Sequence, residues 1–257
     1  MGRYDGYLIL ADYDGTLADR SGRVSPENVE AIRAFQQQGG FFTIASGRSP
    51  DFIRNVAENV PLNAPVIALN GGAIVDPESF EVIKRTGGDE EFVRDYLSLI
   101  DPELSFETHL WHSSCVNSIW RKGEGAPELS VNNWAPPVYK AIFVEDSPEL
   151  ALELKKRAKA RFGDKYLIER SWPVGLEMLP AFSGKGNAAK LVKRLMGGRV
   201  HTLIGMGDYE NDVSLLSAAD IGVAVGNALN EVKQAADRIT VPNHEHAVRQ
   251  VILELLS

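Results

Sequence analysis

Tyr7-Leu8-Ile9-Leu10-Ala11 runs directly into Asp12-Tyr13-Asp14-Gly15-Thr16. A short apolar run bounded by a turn signal reads as a strand buried on both faces. The strand delivers two carboxylates and a glycine turn at its carboxyl end. The same pattern returns three times. Phe41-Phe42-Thr43-Ile44-Ala45 leads into Ser46-Gly47-Arg48, and Val66-Ile67-Ala68-Leu69 leads into Asn70-Gly71-Gly72. Thr202-Leu203-Ile204-Gly205-Met206 leads into Gly207-Asp208-Tyr209-Glu210-Asn211-Asp212.

Helical patterns separate these strands. Ser25 stands as an N-cap before Pro26, Val29, Ile32 and Phe35 recur at helical spacing, and Gly39-Gly40 stops the run. Ser49-Pro50 opens a second helix carrying Ile53, Val56, Ala57 and Val60. Late in the chain, 187–196 reads as a helix, 221–225 as a strand, and Ala247, Val248, Val251, Ile252 and Leu255 mark a closing helix. Strands alternating with helices predict an α/β, Rossmann-like core with a mostly parallel sheet covered on both faces.

The middle of the chain is built differently. It predicts a helix over 90–100, a charged helix over 148–162, and strands over 104–108, 115–120, 138–144, 166–170 and 175–179. Strands bunched together, rather than interleaved with helices, indicate a separate α+β unit. The expected organisation is a discontinuous core, 1–85 with 180–257, interrupted by an inserted α+β cap domain, 86–179. All four tryptophans, Trp111, Trp120, Trp134 and Trp172, fall in the insert, where packing in the cap or at an interface is the expected use.

Composition narrows the function. The 257 residues carry 27 Lys and Arg against 35 Asp and Glu, a formal charge of −8, with 44% hydrophobic and 24% charged residues. This is a globular balance. It argues against nucleic-acid binding by bulk charge. The apolar runs are too short to span a membrane, and the N-terminal stretch lacks the apolar region of a signal peptide. A single cysteine, Cys115, excludes an internal disulfide and a Cys-rich zinc site. Its expected state is an inert buried thiol. A cytoplasmic protein, monomeric or homodimeric, is expected.

Open parallel sheets bind ligands beyond the carboxyl ends of their strands, so the four polar clusters are expected to meet. They would gather Asp12, Asp14, Asp208 and Asp212. Carboxylates so close repel one another unless a hard cation sits among them, and Mg²⁺ takes oxygen ligands. The same site would gather Ser46, Arg48 and Lys185, with glycines that expose backbone N–H groups, a donor set suited to a phosphate. Metal, phosphate donors and a spare carboxylate together indicate phosphoryl transfer. His109 and His112, flanking Trp111, and the Lys155-Lys156-Arg157 run read more simply as packed histidines and a solvated helix face.

The chain resembles the haloacid dehalogenase superfamily. Asp12-x-Asp14-Gly15-Thr16 is similar to its first motif, Ser46-Gly47-Arg48 to its second, Lys185 within Ser183-Gly184-Lys185-Gly186 to its third, and Gly207-Asp208-x-x-Asn211-Asp212 to its fourth. Asn70-Gly71-Gly72-Ala73-Ile74 and Val225-Gly226-Asn227-Ala228 further resemble the Cof-type phosphatases with a class IIB cap. The resemblance covers nearly the whole core; the insert matches in position, size and style only.

The resemblance implies that Asp12 is the nucleophile, forming an aspartyl-phosphate, and Asp14 the general acid and base. It implies Mg²⁺ on the carboxylates of Asp12 and Asp208 and the backbone carbonyl of Asp14. Asp212 would bind it through water or orient Lys185. Ser46, Gly47 and Lys185 would hold the phosphoryl group, joined by Arg48, Asn70 and Asn211. The implied substrate is a small phosphorylated metabolite, a sugar phosphate first. A phosphomutase or a non-catalytic phosphate-binding protein on the same scaffold are the alternatives. The chain departs from the family pattern at Tyr13, where an apolar residue is usual and a direction away from the site is expected. It departs also at Gly184, at Tyr209-Glu210 and at Asn243-His244-Glu245-His246.

Overall fold

The computed structural model describes residues 2–100, 107–113, 116–122 and 134–255. Cys115 and positions 104–106 of the expected fourth strand lie outside them. Contacts within the chain gather into two compact units, Met1–Lys84 with Lys185–Ser257, and Arg85–Gly184.

The first unit opens with β1 (Tyr7–Ala11), α1 (Pro26–Gln37), β2 (Phe41–Ile44), α2 (Pro50–Ala57), β3 (Val66–Ala68), β4 (Ala73–Val75) and β5 (Val82–Arg85). The second unit contributes α3 (Glu90–Leu97), β6 (Glu107–His112), β7 (Val116–Arg121), β8 (Val138–Val144), α4 (Pro148–Phe162), β9 (Tyr166–Trp172) and β10 (Gly175–Pro180). The first unit resumes with α5 (Lys185–Met196), β11 (Thr202–Gly207), α6 (Val213–Ala218), β12 (Ile221–Ala224), α7 (Asn230–Ala235), β13 (Arg238–Ile239) and α8 (Ala247–Glu254).

Capping chemistry starts three of the helices in the same way. Ser25, Ser49 and Ser147 each precede a proline at the first helical turn, and each hydroxyl accepts a backbone N–H of that turn, from Asn28, Phe52 and Leu150. The serine satisfies a donor the helix cannot, and proline supplies a preset φ where its missing N–H is not needed.

In the first unit, β13, β12, β11, β1 and β2 form a parallel sheet in that order, and a parallel bridge from Ala45 to Ile67 carries it on to β3. β1 lies between β2 and β11, with Ile9 opposite Phe42 on one side and Ile204 on the other. Leu8, Ile9, Leu10 and Ala11 are fully buried, as a central strand covered on both faces requires. The order reverses beside β1, so the carboxyl ends of β1 and its neighbours open on a switch point where ligands bind in such sheets.

Three short strands escaped the periodicity, β4, β5 and β13. β4 folds back antiparallel beside β3 through the Asn70-Gly71-Gly72 turn, and β5 lies on the far side of β4. Leu69 and Asn70 both hold positive φ there, a conformation that interrupts the strand and that asparagine tolerates. The helix expected from Asn187 begins two residues earlier, at Lys185. Gly186 costs helix propensity, yet a Cβ there would stand 2.2 Å from the Ser214 carbonyl oxygen. Glycine lets α5 and α6 touch.

The second unit is a five-stranded sheet, β7-β6-β8-β10-β9, and each pairing described in it is antiparallel. α3 and α4 cover one face. Phe92, Val93, Tyr96 and Leu99 join Leu154 and Ala158 over Leu110, Ala141, Phe143, Ile168, Leu176 and Met178 in one apolar cluster, with Trp134 packed against it. α3 stops at Leu97, short of the expected Ile100. Within the described residues β6 spans Glu107–His112, four residues past the expected end at Thr108. Its alternating burial sends His109 and His112 to opposite faces, so they form no shared site. Among the described residues no helix is long and apolar enough to cross a membrane.

Candidate active site

Each strand end of the parallel sheet delivers its polar residues to one place. Asp12 follows β1 and is buried, with its N–H donating to Met206 O at 2.9 Å. Ser46 follows β2, is buried, and donates its N–H to Ile67 O. Asp208 follows β11, and Lys185 is the first residue of α5.

Lys185 is fully buried and its ammonium bridges two carboxylates, donating to Asp12 Oδ1 and to Asp212 Oδ1, each at 2.6 Å. A cation at a helix N-terminus opposes the helix dipole; two facing anions offset that. Asp212 is held from both oxygens, since its Oδ2 also accepts the backbone N–H groups of Asp208 and Tyr209 at 2.9 and 3.1 Å. Asp212 therefore fastens the turn that carries Asp208 and aims Lys185 at Asp12. Thr16 donates its hydroxyl to Asp208 Oδ1 at 3.1 Å, tying the first motif to the fourth.

Gly15 is required between them. Its φ is +83°, and a Cβ would stand 2.4 Å from Asp208 Oδ2. Only glycine accepts both the left-handed backbone and the close approach.

Oxygen atoms of Asp12, Asp208 and Asp212 lie within 4.8 Å of one another. Burial pushes the Asp12 carboxyl well above the usual range, and the Asp212 and Asp208 charges add to this while Lys185 opposes it. Burial and Asp212 likewise push Asp208 up to about 7, against the pull of Lys185 and Thr16. Burial disfavours the Lys185 ammonium, but Asp12 and Asp212 outweigh it and its pKa is raised. Three carboxylates around one ammonium carry two uncompensated negative charges when ionised. A hard divalent cation with oxygen preference fits that donor set in both charge and chemistry.

Asp14 stands apart from this triad. Its side chain is half-exposed and turned to Arg48, whose Nε and Nη2 donate to Oδ2 and Oδ1 at 3.0 and 2.9 Å. The sequence reading placed Arg48 with the phosphate donors; its guanidinium here forks onto Asp14. Ser46 Oγ accepts the Arg48 N–H at 3.1 Å, and Asn211 Nδ2 reaches Asn70 Oδ1 at 3.4 Å with both side chains buried. Gly47 leaves room beside Asn70, whose side chain a Cβ would meet at 3.2 Å. The structure thus brings Asp12, Lys185, Asp208 and Asp212 into direct contact, and sets Ser46, Gly47, Asn70 and Asn211 together beside the end of β2.

Two residues had no role from sequence. Tyr13 is buried, donates its hydroxyl to Gly22 O at 2.9 Å, and stands edge-on to Phe52 with ring centroids 5.4 Å apart. Phe52 in turn underlies the Arg48 guanidinium at 4.7 Å. Tyr13 does turn from the triad, as expected, but the departure is not idle.

The model of the haloacid dehalogenase-like hydrolase family matches residues 9–252, and the chain belongs to that family. A Bacillus subtilis 5-amino-6-(5-phospho-D-ribitylamino)uracil phosphatase is 30% identical over 246 residues, 95% of this chain and 94% of the relative. A second B. subtilis phosphatase of that description is 28% identical, covering 97% and 98%. Among solved structures, a haloacid dehalogenase-like hydrolase from Bacteroides thetaiotaomicron is 26% identical with a TM-score of 0.77, covering 98% of this chain and all of its own. A subclass IIB sugar phosphatase shares the fold at 21% identity, TM-score 0.75, covering 96% and 98%. The protein is a phosphatase of that family.

Proposed function

We propose that the protein is a Mg²⁺-dependent, cytoplasmic phosphatase of a small sugar or sugar-alcohol phosphate, working through an aspartyl-phosphate. The observation that carries this is the buried Asp12–Lys185–Asp212 bridge with Asp208 beside it. Asp12 and Asp208, with Asp212 behind them, would hold the cation. When bound, Mg²⁺ supplies positive charge against the phosphoryl oxygens. The substrate class draws support from the two B. subtilis relatives, whose described substrate is a phosphoribityl ester.

Lys185 holds Oδ1 of Asp12 and so fixes the carboxylate whose oxygen attacks phosphorus. The P–O ester bond breaks, and Asp14 gives its proton to the departing alcohol. Water then attacks the phosphoryl group on Asp12. Asp14 takes the water's proton, and inorganic phosphate leaves with Asp12 restored. Ser46 and Lys185 hold the phosphoryl oxygens through the transfer.

The test is phosphate release from a panel of phosphorylated sugars, sugar alcohols and cofactors, with and without Mg²⁺. The expected result is turnover that needs Mg²⁺, is highest on a polyol or sugar phosphate, and falls at least a thousandfold in Asp12→Asn. Undiminished hydrolysis by that variant would defeat the reading, and phosphate retained on a sugar product would make the enzyme a mutase.

A further inference from the structure

Arg48 makes no described contact with the carboxylate triad. Both oxygens of Asp14 accept from it instead, in the planar two-bond geometry that fixes a carboxylate's orientation as well as its place. Arg48 is itself held. Its guanidinium lies over the Phe52 ring, the Tyr13 ring abuts Phe52 edge-on, and the Tyr13 hydroxyl is tied to Gly22 O. Tyr13 sits between Asp12 and Asp14 in the chain, so the loop that carries the acid also builds the shelf beneath the residue that holds it.

We infer that Arg48, seated on the Phe52–Tyr13 shelf, is a positioning residue that orients the Asp14 carboxyl for proton exchange with the leaving group. This rests on the proposed acid–base role of Asp14. A carboxylate has about four acceptor directions. Arg48 uses two and leaves the others to face the ester oxygen. Without Arg48, a half-exposed side chain turns freely in solvent. In the transfer step, the Asp12 oxygen bonds to phosphorus, the P–O bond to the leaving group breaks with its electron pair on oxygen, and the Asp14 proton moves to that oxygen. Arg48 forms and breaks no covalent bond.

The chemistry of the leaving group supplies a test that a merely structural role would not move. An alkoxide cannot depart without a proton, whereas 4-nitrophenolate departs as the anion. The constant kcat/KM covers the steps through transfer to Asp12 and so isolates the protonation of the leaving group. It is measured with Mg²⁺ for an alkyl phosphate and for 4-nitrophenyl phosphate. The variants are Asp14→Asn, Arg48→Ala, Arg48→Lys and Phe52→Leu, each checked by thermal unfolding.

The expected result is that Asp14→Asn and Arg48→Ala both lower the alkyl-to-nitrophenyl ratio of kcat/KM by tenfold or more. Arg48→Lys, which keeps charge but loses the fork, and Phe52→Leu, which keeps Arg48 but loses the ring beneath it, lower it less. Equal losses on both esters in Arg48→Ala would make Arg48 a phosphate ligand and overturn the inference, as would a gain on the alkyl ester. If Asp14→Asn discriminates and Arg48→Ala does not, this inference alone fails. If Asp14→Asn does not discriminate, the acid role itself fails.

Discussion

Gly15 shows how far the site depends on one missing carbon. Alanine there would hold φ at +83° with its Cβ 2.4 Å from Asp208 Oδ2. The backbone strain costs about 1–2 kcal/mol, and the carboxylate must move. Gly15→Ala is expected to weaken Mg²⁺ binding by about tenfold or more, the size of effect seen when a ligand's support is lost. A calorimetric Mg²⁺ titration of the variant checks this, and unchanged affinity would show that Asp208 does not hold the ion. Asp12, Lys185 and Asp208 were legible in the sequence because a buried strand or a glycine turn fixes where the next residue stands. The pairing of Asp14 with Arg48 was not. Both lie in loops, where side-chain direction follows no period and is set by rings such as Phe52 that come from another element.

At the scale of elements, the long pieces were readable and the short ones were not. β1, β2, β11 and α1 carry runs or capping serines that announce them. β4, β5, β13 and α7 are brief and gain their order from neighbours rather than from their own pattern. The carboxyl end of β6 lies past the expected Thr108, where Glu107 to His112 alternate in burial. A half-buried strand carries no apolar run to mark its end. The cluster beneath α3 and α4 is a core of its own. Phe143 is fully buried there against Tyr96, with ring centroids 5.3 Å apart. Phe143→Ala is expected to cost about 3–5 kcal/mol. Hydrogen exchange should show the loss in amides of β6, β8 and β10 while β1 and β11 keep their protection. Equal deprotection across both units would mean that they share a single cooperative core.

For the molecule as a whole, the acid cluster is expected to couple stability to pH and to Mg²⁺. Asp208 in the folded chain titrates at about 7, above the ~3.9 of an unfolded aspartate. The folded state therefore binds the proton more tightly. Its contribution is full below pH ~4 and is lost as pH rises through 7. Metal-free protein is expected to unfold about 5 °C or more lower at pH 8 than at pH 5. Saturating Mg²⁺ should lift the midpoint more at pH 8, and Asp208→Asn should make the metal-free slope shallower, with Asp12 carrying what remains. Thermal scans in chelator and in Mg²⁺ decide it; a slope unchanged in Asp208→Asn would place the titration elsewhere.

The parallel pairing of β1 with β11 also sets a clock. Thr16 and Asp208 meet across 192 residues of chain, and Asp12 waits for Lys185 across 173. At a ribosome adding about 5–20 residues per second, that interval is about 10–40 s. Through most of it the nascent chain carries Asp12 with neither the Lys185 ammonium that pairs with it nor the Asp208 carboxylate beside it. The acid cluster is expected to assemble only once β11 and the turn after it have emerged.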